Sequence, residues 1–280
     1  MKKRWVMVGI GLSVAGLGIA LSYWLYARSH EWTDDAMIDA HILSVNPKVS
    51  GQVARVLVDD NQPVHAGDLL VEIDPQDFQV RLEQARAELA AAQAEAHRAV
   101  TDAVRYKQLF EKGQVSRQAY DKSVADADVA KANVTVAEKK AAAAELDLSY
   151  TKIASPEAGR VTKRAVEVRS FVQVGQPLMA IVPANVWVTA KFKETQLEHI
   201  RPGQAVEIHV DTYSDRSFRG HVDSIQAGAE ARFSLLPPEN ATGNFVKVVQ
   251  RIPVKIVFDE PTGDLLLAPG MSVVPTVKVR

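Results

Sequence analysis

The sequence predicts an α+β chain of four parts: an N-terminal transmembrane helix, a small β-barrel, a β-sandwich split in two along the chain, and an antiparallel α-helical coiled-coil hairpin inserted in that sandwich. Three observations predict it. Residues 5–26 carry no charge. Residues 51–75 recur, without a gap, as residues 159–183. Between the copies, residues 76–150 contain one Gly and no Pro.

At 280 residues the chain is long enough for more than one small domain. Its net charge of −1 gives no electrostatic footprint for nucleic acid. There are no cysteines, which excludes a disulfide framework, a Cys-ligated zinc and a lipid-modified cysteine anchor.

Trp5 to Tyr26 spans 22 uncharged residues, enough to cross about 30 Å of hydrocarbon as a helix. Lys2, Lys3 and Arg4 precede it, and Tyr23, Trp24 and Tyr26 crowd its far end like an interfacial aromatic belt. The positive-inside rule places residues 1–4 in the cytoplasm and the bulk of the chain outside. A cleavable signal peptide is the other reading of such a segment. The apolar run is too long for a typical one, and no clear Ala-x-Ala site follows.

The internal repeat has eight identities in 25 positions. They are Gly51/Gly159, Val53/Val161, Val58/Val166, Val64/Val172, Gly67/Gly175, Leu70/Leu178, Ile73/Ile181 and Pro75/Pro183. Each copy reads as short strands around a turn. Gly51, Gly67, Gly159 and Gly175 are expected at structural turns, where φ > 0 or close strand approach excludes a side chain. Neither copy has enough apolar surface for a core of its own, so the two should face each other in one sandwich. The pattern resembles the biotinyl/lipoyl fold. A carrier domain of that fold displays a modifiable Lys on a short hairpin between its halves. Here residues 76–150 stand in that place, which argues against a carrier-enzyme component.

Those residues carry a heptad seam. In the first arm it runs Phe78, Leu82, Ala85, Leu89, Ala92, Ala96, Ala99, Ala103, Tyr106, Phe110. In the second it runs Tyr120, Ser123, Ala127, Ala130, Val134, Ala137, Ala141, Ala144, Leu148. Steps of four and three alternate, as in a coiled coil. Gly113-Gln114-Val115 is short enough to force antiparallel packing. Gly113 suits a helix C-terminus and Ser116 an N-cap. The first arm should be about 50 Å long at ~1.5 Å per residue.

A rod of this kind has no cavity, so its function should lie at its ends. Arg105 and Leu109 fall off the seam, four residues apart on one face, and Ser116 opens the return helix. The spacing Arg-x3-Leu-x6-Ser resembles the tip motif by which bacterial membrane fusion proteins engage a TolC-type outer-membrane channel.

From Ala184 the chain returns to alternating strands, as in Val186–Phe192, Val206–Val210 and Val273–Val279, separated by Gly, Pro and Asp. This suggests a small β-barrel, joined by a strand within Asp34–Leu43. Lys193 to Ile200 is expected as a short helix. The expected domains are therefore residues 33–45 with 184–280 (barrel), 46–75 with 151–183 (lipoyl-like) and 76–150 (hairpin).

The segment 233–251, FSLLPPENATGNFVKVVQR, mixes apolar residues with turn formers. It resembles a segment of EmrA-type multidrug adaptors of the HlyD membrane fusion protein family, as do Phe192–Gln196 and Thr33–Ala36. Phe233, Leu235, Leu236, Asn240, Asn244 and Phe245 are its candidate transporter or partner contacts. The hairpin is shorter than is common in that subgroup.

The resemblance implies a periplasmic adaptor of a tripartite efflux pump. Such an adaptor links an inner-membrane transporter, of major-facilitator type, to a TolC-type channel and works as a trimer or hexamer. It implies export of drugs or of aromatic and hydrophobic compounds. A type I secretion adaptor paired with an ABC transporter and a structural envelope tether are the alternative readings.

No catalytic constellation emerges, and no cofactor is expected. The seven histidines lack metal-ligand spacing, and the methionines do not cluster.

Overall fold

A computed structural model describes residues 28–229, 249–260 and 265–279. The expected anchor, 5–26, and the six candidate contacts between Phe233 and Phe245 lie outside these residues. Among the described residues no helix is long and apolar enough to cross a membrane.

In chain order, β1 (His30–Trp32) and β2 (Ala36–Ala40) precede β3 (Leu43–Val45), β4 (Gly51–Val56), β5 (Pro63–Val64) and β6 (Leu69–Ile73). Two helices follow, α1 (Gln76–Glu111) and α2 (Arg117–Ser149). Strands β7 (Lys152–Ala154), β8 (Gly159–Thr162), β9 (Phe171–Val172) and β10 (Met179–Pro183) come next. The last are β11 (Val186–Lys193), β12 (Ala205–Val210), β13 (Ser217–Ile225), β14 (Arg251–Phe258) and β15 (Val273–Lys278). They fall into two compact units: residues 42–182, and residues up to His41 joined with those from Pro183 onward.

The first unit holds two four-stranded sheets, β3-β10-β8-β5 and β7-β6-β4-β9. The repeat copies do not form one layer each. In either sheet, two central strands of one copy are flanked on one side by a short strand of the other copy (β5 or β9) and on the other by the short strand that precedes the other copy in the chain (β3 or β7), so the copies interlock. Hydrogen bonds recur at the repeat spacing. Asn61 N–H donates to Val161 O (3.0 Å), and Arg169 N–H donates to Val53 O (2.8 Å). Leu57 N–H reaches Leu70 O (2.9 Å), as Ala165 N–H reaches Leu178 O (2.8 Å). Asn61 and Arg169 even share a left-handed backbone, with φ of 64° and 72°. The core is built from equivalent pairs: Val53 with Val161, Leu70 with Leu178, Ile73 with Ile181, all buried.

The four repeat glycines divide into two kinds. Gly67 and Gly175 sit in turns at φ +88° and +80°. Gly51 and Gly159, expected in turns, instead begin strands β4 and β8. What they supply is room. A Cβ on Gly51 would lie 2.6 Å from Ile73 Cγ2, and one on Gly159 would lie 2.6 Å from the Val182 carbonyl oxygen.

Several turns share one device. The side chain of residue i+3 accepts the N–H of residue i, while the N–H of i+3 donates to the carbonyl of i. Gln62 does this for Asp59, Gln176 for Gln173, Gln196 for Lys193 and Gln204 for Arg201. A side-chain amide here competes with helix propagation. Accordingly Lys193–Ile200, expected as a helix, ends strand β11 at Lys193 and is then a run of hydrogen-bonded turns over residues 194–199. Gln196 also donates to Glu31 Oε2 (2.8 Å) and to the Trp32 carbonyl (3.1 Å).

The second unit is one seven-stranded antiparallel sheet, β1-β15-β12-β13-β14-β11-β2. It closes on itself. β1 pairs with the end of β15, and Met37 in β2 bridges Ser272 beside its start. Ile38 N–H donates to Met271 O (2.9 Å) and Gly270 N–H to Ile38 O (2.8 Å). β1 and β2 thus act as one kinked strand that joins β15 to β11. Inward positions alternate, as in Val186, Val188, Ala190 and Phe192, all buried. Leu43–Val45, expected with the barrel, pairs with β10 in the sandwich instead, so the boundary falls after His41.

Candidate functional site: the tip of the helical hairpin

α1 and α2 hold 36 and 33 residues, roughly 54 and 50 Å at ~1.5 Å per residue. The heptad seam is where the helices meet. Ala96, Ala99, Ala127 and Ala130 form a buried cluster, with Val100, Ala103 and Val134 packed against it. Alanine lets two backbones approach closely and costs no rotamer entropy. At the sandwich end, Phe78 of the seam joins the sandwich core.

The turn at the far end is set by two backbone bonds. Gly113 N–H donates to Phe110 O and Gln114 N–H to Leu109 O, both at 2.9 Å. With Gly113 at φ +71°, this is a Schellman motif. Ser116 then caps α2: its Oγ accepts from Ala119 N–H at 3.3 Å.

Near the tip the seam changes character. Alanine gives way to Tyr106, Phe110 and Tyr120, too large to be enclosed between two helices. Phe110 stacks on Tyr120 with centroids 5.5 Å apart and planes 10° from parallel. Tyr106 and Phe110 remain 37% and 36% exposed. Leu109, expected as an exposed off-seam residue, is half-buried. Arg105 is well exposed, with its side chain at 65%. Arg105 and Leu109 thus lie in the last two turns of α1, and Ser116 at the first step into α2.

Arg105 is not alone on its face. Glu95, Arg98, Asp102 and Arg105 follow one another at steps of three and four, each bonded to the next. Arg98 binds Glu95 through Nε (3.0 Å) and Nη2 (2.5 Å), and Asp102 Oδ2 through Nη1 (3.2 Å). Asp102 Oδ1 accepts from Arg105 Nη1 at 3.0 Å. The Arg98 hydrogen bond holds the Glu95 carboxyl below its ordinary range, and the same bond raises Arg98. The sequence reading passed over Asp102. Its signal was the spacing, an acid three residues before an Arg on a helix.

Elsewhere the described residues contain no group of three or more His, Asp or Glu side chains placed to hold a metal ion. His209 and His221 lie on paired strands but not opposite one another; Ala205 faces His221, and Ser217 faces His209. Each has an acidic neighbour, Glu207 and Asp259 respectively.

A family profile described as RND MFP, barrel-sandwich hybrid domain, matches residues 41–184, and one described as AAEA-like beta-barrel domain matches residues 185–280. The chain is 33% identical to the colistin resistance protein EmrA of Acinetobacter baumannii, over 100% of this chain and 95% of that one. It is 34% identical to the multidrug export protein EmrA of Haemophilus influenzae, over 96% of this chain and 81% of the relative. Among solved structures, the membrane fusion protein Spr0693 of Streptococcus pneumoniae has the same fold. Its TM-score is 0.68 at 19% identity, over 90% of this chain and 99% of that one.

Proposed function

The chain belongs to the membrane fusion protein family as an EmrA-like member, and from that premise we propose that it is the periplasmic adaptor of a tripartite efflux pump. Residues 5–26 anchor it in the bacterial inner membrane, with residues 1–4 in the cytoplasm. The barrel and sandwich lie in the periplasm. The tip of the hairpin docks onto a TolC-type outer-membrane channel through Arg105, Leu109 and Ser116. The inner-membrane partner is a major-facilitator transporter. The cargo is a drug or an aromatic or hydrophobic compound. Three or six copies ring the pathway. Phe233, Leu235, Leu236, Asn240, Asn244 and Phe245 contact the transporter.

The observation that carries this reading is the likeness to a colistin resistance protein and a multidrug export protein along nearly the whole chain, including the hairpin, rather than in one domain. The hairpin supports it physically. A 36-residue helix with an alanine seam has no cavity and no reactive group, yet it ends in an open, aromatic, cation-bearing tip. Such an end suits contact with another protein. The chain carries no energy-transducing motif of its own, so its work is assembly and sealing.

The lack of cysteine offers a clean test. Leu109→Cys or Ser116→Cys gives a single thiol at the tip. With a short bifunctional crosslinker in intact cells, the tip thiol should capture an outer-membrane channel, and Ala90→Cys on the mid-hairpin surface should not. Equal capture from both positions, or none from the tip in cells that export, would remove the docking reading.

A further inference from the structure

We propose that Asp102 is a positioning residue for the tip, holding the Arg105 guanidinium in the orientation that docks. The proposal rests on the docking reading above.

The geometry is a ladder with a fixed end and a free end. At the inner end Arg98 is held by Glu95 through two nitrogens and by Asp102 through a third. Asp102 is the hinge of the arrangement. One carboxylate oxygen is bonded to Arg98, the other to Arg105, and its side chain is only 33% exposed against 65% for Arg105. Arg105 is the outer end, and among the described residues the only hydrogen bond of its side chain is this one, through Nη1. The planar guanidinium carries five donors in a rigid fork. With one spent on Asp102, four remain to meet carbonyls or carboxylates of a partner.

The stabilising effect of such a pair is small, because both groups are in water. Its consequence for binding is larger. An unrestrained Arg on a helix surface must be ordered at the moment of docking, and that entropy is lost from the affinity. A carboxylate three residues earlier orders it beforehand. The same carboxylate is already tied to Arg98, so it does not itself follow Arg105 into solvent. Asp102 touches no partner in this scheme and acts through Arg105.

A double-mutant cycle on the full-length protein in detergent tests this, with a purified TolC-type channel as the probe and helicity as the control. Arg105→Ala should weaken channel binding by tenfold or more. Asp102→Ala should weaken it three- to tenfold, and Asp102→Glu should restore it to within twofold of the parent. In the Arg105→Ala background, Asp102→Ala should change nothing further. A merely structural role would give the same loss in both backgrounds, and that result overturns the proposal. So does unchanged or tighter binding by Asp102→Ala alone while Arg105→Ala weakens it. If Arg105→Ala itself binds normally, the docking reading falls, and the positioning role falls with it.

Discussion

The sandwich and the hairpin are consecutive in the chain and belong to one compact unit, yet they are held together by opposite means. The sandwich is long-range at its edges. Each sheet joins a central pair from one copy to flanking strands about a hundred residues away, and its core is mostly buried Val, Leu and Ile. The hairpin is nearly all local, two helices closed by one Schellman turn, with buried positions that are mostly alanine. The sandwich therefore tolerates little at any one site, because each sheet is completed by strands from a distant part of the chain. The hairpin tolerates much on the outer face of its shaft and little along the alanine seam or at its ends, where Phe78 enters the sandwich core and Gly113 turns the chain.

The largest expected effect is at Gly159. A side chain there meets the Val182 backbone at 2.6 Å, which cannot rotate away, whereas at Gly51 the obstacle is the Ile73 side chain. Gly159→Val should cost about 3 kcal/mol or more, and Gly51→Val roughly 1–3 kcal/mol. Thermal melts of the anchorless protein would show the order. Equal losses would mean that the two copies are equally strained and would erase this asymmetry.

Next comes the alanine seam. Ala127 is 3% exposed between the helices, and Ala127→Leu should cost about 1–3 kcal/mol by forcing them apart. Loss of helical signal before loss of the β-signal on heating would separate hairpin from sandwich. Coincident loss would make them one cooperative unit. Ser116→Ala removes the α2 cap and should cost about 1 kcal/mol, with Ser116→Gly costing only a few tenths. Equal losses in denaturant titrations of the two variants would deny the cap.

The smallest effect is a matter of pH. Arg98 holds the Glu95 carboxyl below its ordinary value of 4.5. That contribution is complete above the ordinary value and fades as pH falls through the depressed one. Glu95→Gln should therefore lower the stability of the hairpin slightly at pH 7, where the contribution is complete, and converge with the parent as pH falls well below 4.5. An equal loss at pH 7 and well below pH 4.5 would mean that Glu95 acts through something other than its charge.

Much of this was legible in the sequence, for physical reasons. The seam could be read because 3.6-residue periodicity persists over many turns, and the repeat because a pseudo-symmetric core forces the same residue into equivalent sites. The weaving of the sheets could not be read. It depends on β5 and β9, two residues each, too short to show alternation. Gly51 and Gly159 were visible as a pair, but a sequence does not say whether a glycine serves a positive φ or a close approach. The turns at Lys193–Ile200 were hidden because Gln196 is held by Glu31 and Trp32, far away in the chain. At the tip the spacing of Arg105, Leu109 and Ser116 was plain. The half-burial of Leu109 and the exposed aromatics follow from side-chain volume where no third element covers the rod.

The shaft and the tip of the hairpin offer the most direct comparison. Arg86, in mid-shaft, pairs across the helices with Glu145 at 3.2 Å, and both are exposed. Among the described residues Arg105, at the tip, pairs only with its own helix. The decisive measurement is efflux-dependent drug resistance in a strain lacking the endogenous gene, complemented with the parent, Arg86→Asp, or Arg105→Asp with Leu109→Ser. At matched membrane levels and helicity, the tip double variant should lose resistance entirely while Arg86→Asp stays close to the parent. Full resistance in the tip variant would contradict channel docking and return Arg105 and Leu109 to the ordinary solvated surface of a helix.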